Sequence, residues 1–281
     1  MKIRPLKHPK LELTNTGKLA MFFIGVGSAF SKRQNQTNLL VIKGRDHVLI
    51  DLGTKGPQAL YDLGVGVARI ENILITHSHA DHIGGMEEIA LTGRYATKKK
   101  PNLIITEAYQ HILWDMSLRG GIAFNEDNAI NTLSIYDFFN IIRPVYLNNY
   151  PRECFGIQVG NINLKLMRTK HIPDSSDSWK SSFWSCGIVI DDTVMFTSDT
   201  RFDPDLVYDF EKKFGFKAIF HDCQFFTGGV HASLEEIKSF SPALKKKMYL
   251  THYGDNWEQF EPKVKKYGFA GLARQSTFYE F

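Results

Sequence analysis

The stretch Ile73-Leu74-Ile75-Thr76-His77-Ser78-His79-Ala80-Asp81-His82 decides the reading of this chain, because an apolar run passes directly into three histidines and a carboxylate. Four potential metal ligands fall within the six positions 77–82. Neutral imidazole nitrogens and carboxylate oxygens suit zinc and related borderline cations, and the absence of cysteine from the cluster argues against an iron–sulfur site or a structural zinc finger. In an extended turn, His77 and His79 project to the same side, whereas a helix beginning near Asp81 points Asp81 and His82 elsewhere. One segment could then serve two neighbouring ions, as a dinuclear hydrolytic centre requires.

Outward from this cluster the chain reads as one ordinary globular unit. Its 281 residues are 43% hydrophobic and 23% charged, enough to bury a substantial core, and no repeat or low-complexity linker divides it. Residues 1–281 are therefore read as a single domain. No apolar run approaches the ~20 residues that span a bilayer, and Met1-Lys2-Ile3-Arg4-Pro5-Leu6-Lys7 leads into no signal-peptide core. A cytoplasmic location without a membrane partner is expected. Cys154, Cys186 and Cys223 are too few and scattered for a disulfide framework or a metal knuckle, and read as reduced core thiols. The net charge of +4 suits an anionic substrate but is too small to establish nucleic-acid binding. The runs Lys98-Lys99-Lys100 and Lys245-Lys246-Lys247 read as solvated faces or helix ends.

The alternation of short apolar runs with turn signals predicts strands at 19–24, 37–42, 47–52, 72–76 and 103–106, with helices near 57–63 and 84–95. The aromatic-rich segment 107–150 reads as a mainly helical insert, serving as a lid or a homodimer surface. Strands resume at 156–167, 186–190, 193–198, 218–221 and 247–251, with helices near 204–214 and 233–240. This is mixed α/β layering. Ionisable residues just after strands are where partners of the first cluster belong, because loops at strand ends converge on clefts. His171, Asp199 and His252 each occupy such a position.

With these residues in view, the chain resembles the metallo-β-lactamase fold superfamily of metal-dependent hydrolases. The likeness runs from Asp51-Leu52-Gly53 through HSHADHIGG at 77–85, His171 and Ser198-Asp199-Thr200 to Thr251-His252-Tyr253. It implies an α/β fold, an αββα sandwich of two mixed β-sheets with outer helices and a two-metal site at one edge. Carried over by motif, His77, His79 and His171 would hold one Zn2+, Asp81, His82 and His252 the other, and Asp199 would bridge them, with Mn2+ as the alternative ion. Asp51, His221 and Asp222 are placed behind the ligands, orienting metal-bound imidazoles by hydrogen bonds.

Within that superfamily, Gly25-Val26-Gly27-Ser28-Ala29-Phe30, His221-Asp222-Cys223-Gln224-Phe225 and His231-Ala232-Ser233-Leu234-Glu235-Glu236 look like the phosphodiesterase branch, which includes transfer-RNA 3′-processing endonucleases and cyclic nucleotide phosphodiesterases. Phage-encoded enzymes that degrade cyclic nucleotide signals belong to this general group. The continuation Ile83-Gly84-Gly85-Met86-Glu87-Glu88 lacks the glycine- and proline-rich pattern associated with transfer-RNA processing, and no long basic arm is evident. The expectation is a dinuclear phosphodiesterase acting on a small cyclic nucleotide, with RNA as the second choice. Two divalent ions less Asp81, Asp199 and a bridging hydroxide leave roughly +1 to attract the phosphate. The hydroxide would attack phosphorus, Asp81 would align it, and His231 would stabilise a nonbridging phosphate oxygen or protonate the departing ribose oxygen. The rivals are a lactone or thioester hydrolase on the same scaffold and a noncatalytic nucleic-acid-binding module. A β-lactamase with a cysteine ligand is disfavoured by Asp199, and a diiron oxidoreductase by His79.

Overall fold

The computed structural model describes residues 1–8, 10–124, 126 and 130–281. Two eight-stranded sheets are built from them. The first contains β1 (Lys2–Pro5), β2 (Ala20–Gly25), β3 (Asn38–Lys43), β4 (Asp46–Ile50), β5 (Asn72–Leu74), β6 (Asn102–Ile104), β7 (Asn140–Ile142) and β16 (Thr277–Glu280). The second contains β8 (Val145–Tyr146), β9 (Cys154–Val159), β10 (Ile162–Arg168), β11 (Cys186–Ile190), β12 (Val194–Phe196), β13 (Ala218–Asp222), β14 (Met248–Thr251) and β15 (Gly271–Leu272). Their spatial orders are β1-β16-β2-β3-β4-β5-β6-β7 and β15-β14-β13-β12-β11-β10-β9-β8.

The apolar runs of the first half are continuous because both faces of their sheet are covered. Met21, Phe23, Leu39, Val41, Val48 and Ile50 join the core shared with the second sheet. Their alternates Phe22, Ile24, Leu40, Ile42 and Leu49 join a separate core with Leu60, Met86, Ile89 and Tyr109 under the outer helices. Side chains of a strand point alternately to opposite faces. Each large apolar side chain buried this way contributes about 1.5–3 kcal/mol relative to exposure. The αββα sandwich expected from the sequence is the observed fold.

Connectivity then gathers the strand ends. β4 to β7 are parallel, as are β12 to β15. Parallel neighbours need crossovers, here supplied by helices at Gly56–Asp62, Met86–Leu91, Pro204–Phe214 and Trp257–Lys266. β10 and β12 both pair antiparallel with β11 and so run in the same direction.

Several boundaries differ from the sequence reading. The single strand expected over 156–167 is the hairpin β9–β10, which reverses at Gly160 in the left-handed region (φ 53°). The helix expected over 84–95 ends as an α-helix at Leu91 and widens into a π-helical turn over Thr92–Thr97. In the segment 107–150 the described helices end at Phe138, and β7 and β8 follow as edge strands of the two sheets; residues 125 and 127–129 of that segment lie outside the described residues. Edge strands of three and two residues carry too little apolar pattern to be read from sequence. No helix among the described residues is long and apolar enough to cross a membrane.

Candidate active site at the strand ends

The candidate metal ligands lie beyond the C-terminal ends of strands. β5 delivers His77 and His79, and His79 is the N-cap of the short helix Ala80–Ile83 that carries Asp81 and His82. β10, β12 and β14 deliver His171, Asp199 and His252. The chain turns sharply at three of these exits, since Asp51, Ser198 and His252 have φ of 63°, 49° and 60°. Non-glycine residues rarely occupy the left-handed region, and where they do the surrounding structure holds them there, often at functional sites.

Two groups result. Ligand-capable atoms of His77, His79, His171 and Asp199 lie within 4.8 Å of one another, as do those of Asp81, His82, Asp199 and His252. Asp199 is common to both. In the first group His77 Nε2 and His171 Nε2 lie 3.0 and 3.3 Å from His79 Nδ1, and both lie near Asp199 Oδ2, at 3.7 and 3.8 Å. In the second, His82 Nε2 is 3.3 Å from both Asp81 Oδ2 and Asp199 Oδ2, and His252 Nδ1 is 3.3 Å from Asp199 Oδ1. All are buried except His79, which is half-buried.

The polar atoms turned inward lack conventional partners. Among the described residues, Asp81 Oδ2, His82 Nε2, both Asp199 carboxylate oxygens and both His252 ring nitrogens are buried without a hydrogen bond. Leaving such groups unsatisfied costs about 1–3 kcal/mol each, and more when charged. A set of imidazole and carboxylate donors converging with these atoms left unpartnered fits a pair of divalent cations.

Electrostatics agrees. Burial pushes His77 well below the ordinary imidazole value, and His171 down to about 4, outweighing the attraction of Asp199; burial also lowers His79. These rings are neutral and offer lone pairs. Burial favours the neutral form of Asp81 and Asp199, yet neighbouring imidazoles overcome it, holding Asp81 at about 2 and Asp199 well below the carboxylate range. His82 goes the other way: burial would lower it, but Asp199, Asp51 and Asp81 around it raise it well above the ordinary value. Three carboxylates about one ring demand positive charge, which a proton or a metal ion can supply.

Behind the ligands lies a hydrogen-bonded scaffold. Asp51 Oδ2 accepts from His82 Nδ1 at 2.7 Å and from the Thr76 hydroxyl at 2.8 Å, while Oδ1 accepts from Thr76 N at 2.8 Å. This directs His82 Nε2 into the site. His171 Nδ1 donates to the Val230 carbonyl at 2.8 Å, leaving its Nε2 toward His79. Asp222 Oδ2 accepts from Thr200 N at 2.9 Å and pairs with His231 Nδ1 at 2.8 Å. His231, with 20% of its side chain exposed, lies 3.9 Å from Asp199 Oδ2. Burial would lower His231, but Asp222 and Asp199 prevail and hold it at about 9.

Asp222 thus orients His231 rather than a ligand imidazole, and a second departure from expectation is His221. Its Nδ1 donates to the Asp222 carbonyl at 2.7 Å and its ring edge packs on Phe240, so it is not hydrogen-bonded to a ligand imidazole. Its backbone instead supports β13 against β14. Thr76, which joins Asp51 to Ser198 through a 3.0 Å bond from the Ser198 hydroxyl, was not singled out in the sequence although it directly precedes His77. Gly53, which the sequence shows only as the end of Asp51-Leu52-Gly53, has a packing role as well: a Cβ there would lie 2.0 Å from the Asp81 carbonyl oxygen. Only glycine lets the turn after β4 approach the ligand helix so closely.

Two cavities flank the centre. One of about 370 Å³ is bounded by His231 and His252, the other of about 410 Å³ by His77, His79 and His171.

Residues 19–279 match the family described as Anti-Pycsar protein Apyc1. An Anti-Pycsar protein Apyc1 of Bacillus phage BSP38 is 37% identical over 251 residues, spanning 88% of this chain and 93% of the relative. Among solved structures, a diphosphatase from the PhnP family superposes with a TM-score of 0.69 at 17% identity, over 94% of this chain and 98% of the other. The metallo-β-lactamase fold protein YhfI from Bacillus subtilis gives 0.66 at 14% identity, over 94% and 100%. Both likenesses are of fold.

Proposed function

Because this chain belongs to the Anti-Pycsar protein Apyc1 family, we propose that it is a metal-dependent phosphodiesterase that opens the cyclic phosphodiester of a small cyclic nucleotide in the cytoplasm. Water adds at phosphorus, the bond to one ribose oxygen breaks, and that oxygen leaves with a proton. The product is a linear nucleoside monophosphate.

His77, His79, His171 and Asp199 would hold one divalent cation and Asp81, His82, His252 and Asp199 the other, zinc first and manganese as the alternative. A bound pair of this kind acidifies water to a nucleophile and neutralises charge on both the attacking and leaving oxygens. The chain's own groups do the rest. Asp81 accepts a hydrogen bond from the attacking water and aligns it. His231, fixed through Nδ1 by Asp222, turns its other ring nitrogen toward the phosphate, where it stabilises a nonbridging oxygen or protonates the departing ribose oxygen.

The observation that carries the reading is the pair of four-residue groups sharing Asp199, with His231 close beside them. The flanking cavities of about 370 and 410 Å³ suit a nucleotide-sized ligand rather than the extended surface of a folded RNA. The family's name, which sets its members against Pycsar, supports a cyclic nucleotide. Zinc- and manganese-loaded protein should be assayed against cyclic mononucleotides, cyclic dinucleotides, precursor transfer RNA and lactones. Turnover of cyclic nucleotides is expected, with His231→Ala lowering kcat by about 10²–10⁴-fold. Turnover of lactones alone overturns the phosphodiesterase reading, and preference for precursor transfer RNA overturns the choice of substrate.

A further inference from the structure

A separate cavity lies at the opposite end of the first sheet from the metal ligands. It encloses about 630 Å³ and is bordered by Arg45, Arg69, Lys99 and Lys100, with Glu71 as the one carboxylate among its described lining residues. Asn102 and Asn140, which also line it, are the first residues of β6 and β7, whereas His77 lies past the far end of β5. All five charged side chains are exposed. Four cations against one carboxylate leave a formal excess of three positive charges. Among the described residues, the side chains of Arg45, Arg69 and Lys99 make neither a hydrogen bond nor an ion pair. Lys100 Nζ donates to the Tyr136 carbonyl at 2.6 Å, a neutral partner that leaves its charge uncompensated.

The backbone beneath these cations is pinned at each point. Arg45 sits at the tip of the β3–β4 hairpin, where Asn15 N donates to the Gly44 carbonyl and Gly44 N donates to Asn15 Oδ1, both at 2.8 Å. Arg69 ends the 3-10 turn Val67–Arg69, and two residues on Glu71 N donates to the buried His47 ring at 3.1 Å. Lys99 follows Lys98, which reverses the chain in the left-handed region (φ 57°). The floor is a ladder of amides. Asn140 Nδ2 donates to Asn102 Oδ1 at 3.2 Å, Asn102 Nδ2 to Asn72 Oδ1 at 2.9 Å, and Asn72 Nδ2 to the His47 carbonyl at 3.0 Å. These three asparagines are register partners on β5, β6 and β7, so the ladder joins the segments that carry the cations. Fixed backbone lowers the ordering cost that a ligand meets on binding.

We propose that this cavity is a second ligand site, which binds a small molecule carrying two or more phosphate groups. Guanidinium groups meet phosphate oxygens with paired donors, and lysine adds a point charge. The volume lies within the range of small-molecule pockets. No phenylalanine, tyrosine or tryptophan is among the described lining residues, so the ligand is held through its charge and not by stacking of a base. Cations grouped around a hollow suit a compact polyanion, whereas a nucleic acid needs contacts strung along its backbone. None of the lining residues belongs to either group that shares Asp199, so this site does not depend on the chemistry assigned to the metal centre.

The test titrates fructose bisphosphate into the metal-loaded full chain and follows the backbone amides by NMR. Saturable shifts are expected at Thr14, Arg69 and Asn102, which line the cavity. The Kd should rise about 2- to 5-fold in each of Arg45→Gln, Arg69→Gln and Lys99→Gln, and about 10- to 100-fold when the three are combined. Added salt should weaken binding to the wild type. Free fructose should shift none of these amides. Because the substituted side chains hold no partner among the described residues, the combined variant should unfold at the wild-type temperature. Shifts confined to the surroundings of His231 and His252, equal affinity in the wild type and the combined variant, or equal shifts with free fructose overturn the proposal and leave the phosphodiesterase reading intact. An RNA oligonucleotide that binds at these amides more tightly than the bisphosphate overturns it in favour of a nucleic-acid surface.

Discussion

Asp51→Asn tests how the protein aims a ligand at the site from behind. The residue is fully buried and its two oxygens accept three hydrogen bonds, from Thr76 N, the Thr76 hydroxyl and His82 Nδ1. An amide of the same shape has one oxygen. If that oxygen stays on Thr76 N, the new NH₂ faces His82 Nδ1 and forces the imidazole proton onto Nε2, the atom directed at Asp81 and Asp199. If the amide flips, its NH₂ opposes the Thr76 N–H, a buried donor–donor clash costing about 1–3 kcal/mol. Neither arrangement keeps both the fold's hydrogen bonds and the lone pair. Loss of such an orienting partner ordinarily weakens metal affinity 10–100-fold, or about 1.4–2.8 kcal/mol. Competition with a chromophoric chelator measures the affinity, and thermal unfolding of the metal-free protein measures the clash. An Asp51→Asn protein with wild-type zinc affinity and wild-type unfolding temperature refutes the reasoning.

Gly53→Ala drives a methyl group against the Asp81 carbonyl oxygen; displacement of the ligand helix should abolish metal binding while far-UV circular dichroism stays near wild type. Arg152→Met strands the carboxylate of Asp203, which pairs with Arg152 Nη1 at 2.8 Å in a buried position and caps the helix Pro204–Phe214 through Leu206 N; denaturant melts should show a loss of about 3–5 kcal/mol. His47 is buried and its ring accepts a hydrogen bond from Glu71 N at 3.1 Å. Burial lowers its pKa from 6.5 despite Glu71 and Asp46, with Arg69 reinforcing the shift. The unfolded chain therefore binds that proton first as pH falls, so the stability His47 provides is complete above about pH 6.5 and is lost below it until the folded pKa is reached, with a slope of at most about 1.4 kcal/mol per pH unit. His47→Gln should remove that part of the slope in chemical unfolding curves taken between about pH 7 and 5; an unchanged slope would place the acid sensitivity elsewhere.

The sandwich and the convergence of His77, His79, Asp81, His82, His171, Asp199 and His252 were legible because each feature is local: a continuous apolar strand followed at once by an ionisable residue. What such reading cannot supply is the partner across space. Nothing near Asp51 in sequence reveals its bond to His82, and nothing near His221 shows that its ring packs on Phe240. The hairpin β9–β10 had a signal, Gly160-Asn161 between two apolar runs, which suits a two-residue turn. The edge strands β7 and β8 had little, since three- and two-residue segments at a sheet margin owe their conformation to the neighbouring strand more than to their own propensities.

The central claim is that the two groups sharing Asp199 bind a pair of cations whose joint presence cleaves a cyclic phosphodiester. Chelator-stripped protein titrated with zinc or manganese, with cyclic nucleotide hydrolysis followed at each addition, tests this most directly. Activity should be negligible at the start and reach its plateau near two equivalents per chain, as expected of a two-ion centre. Full activity in the stripped protein, or a plateau at one equivalent, contradicts it.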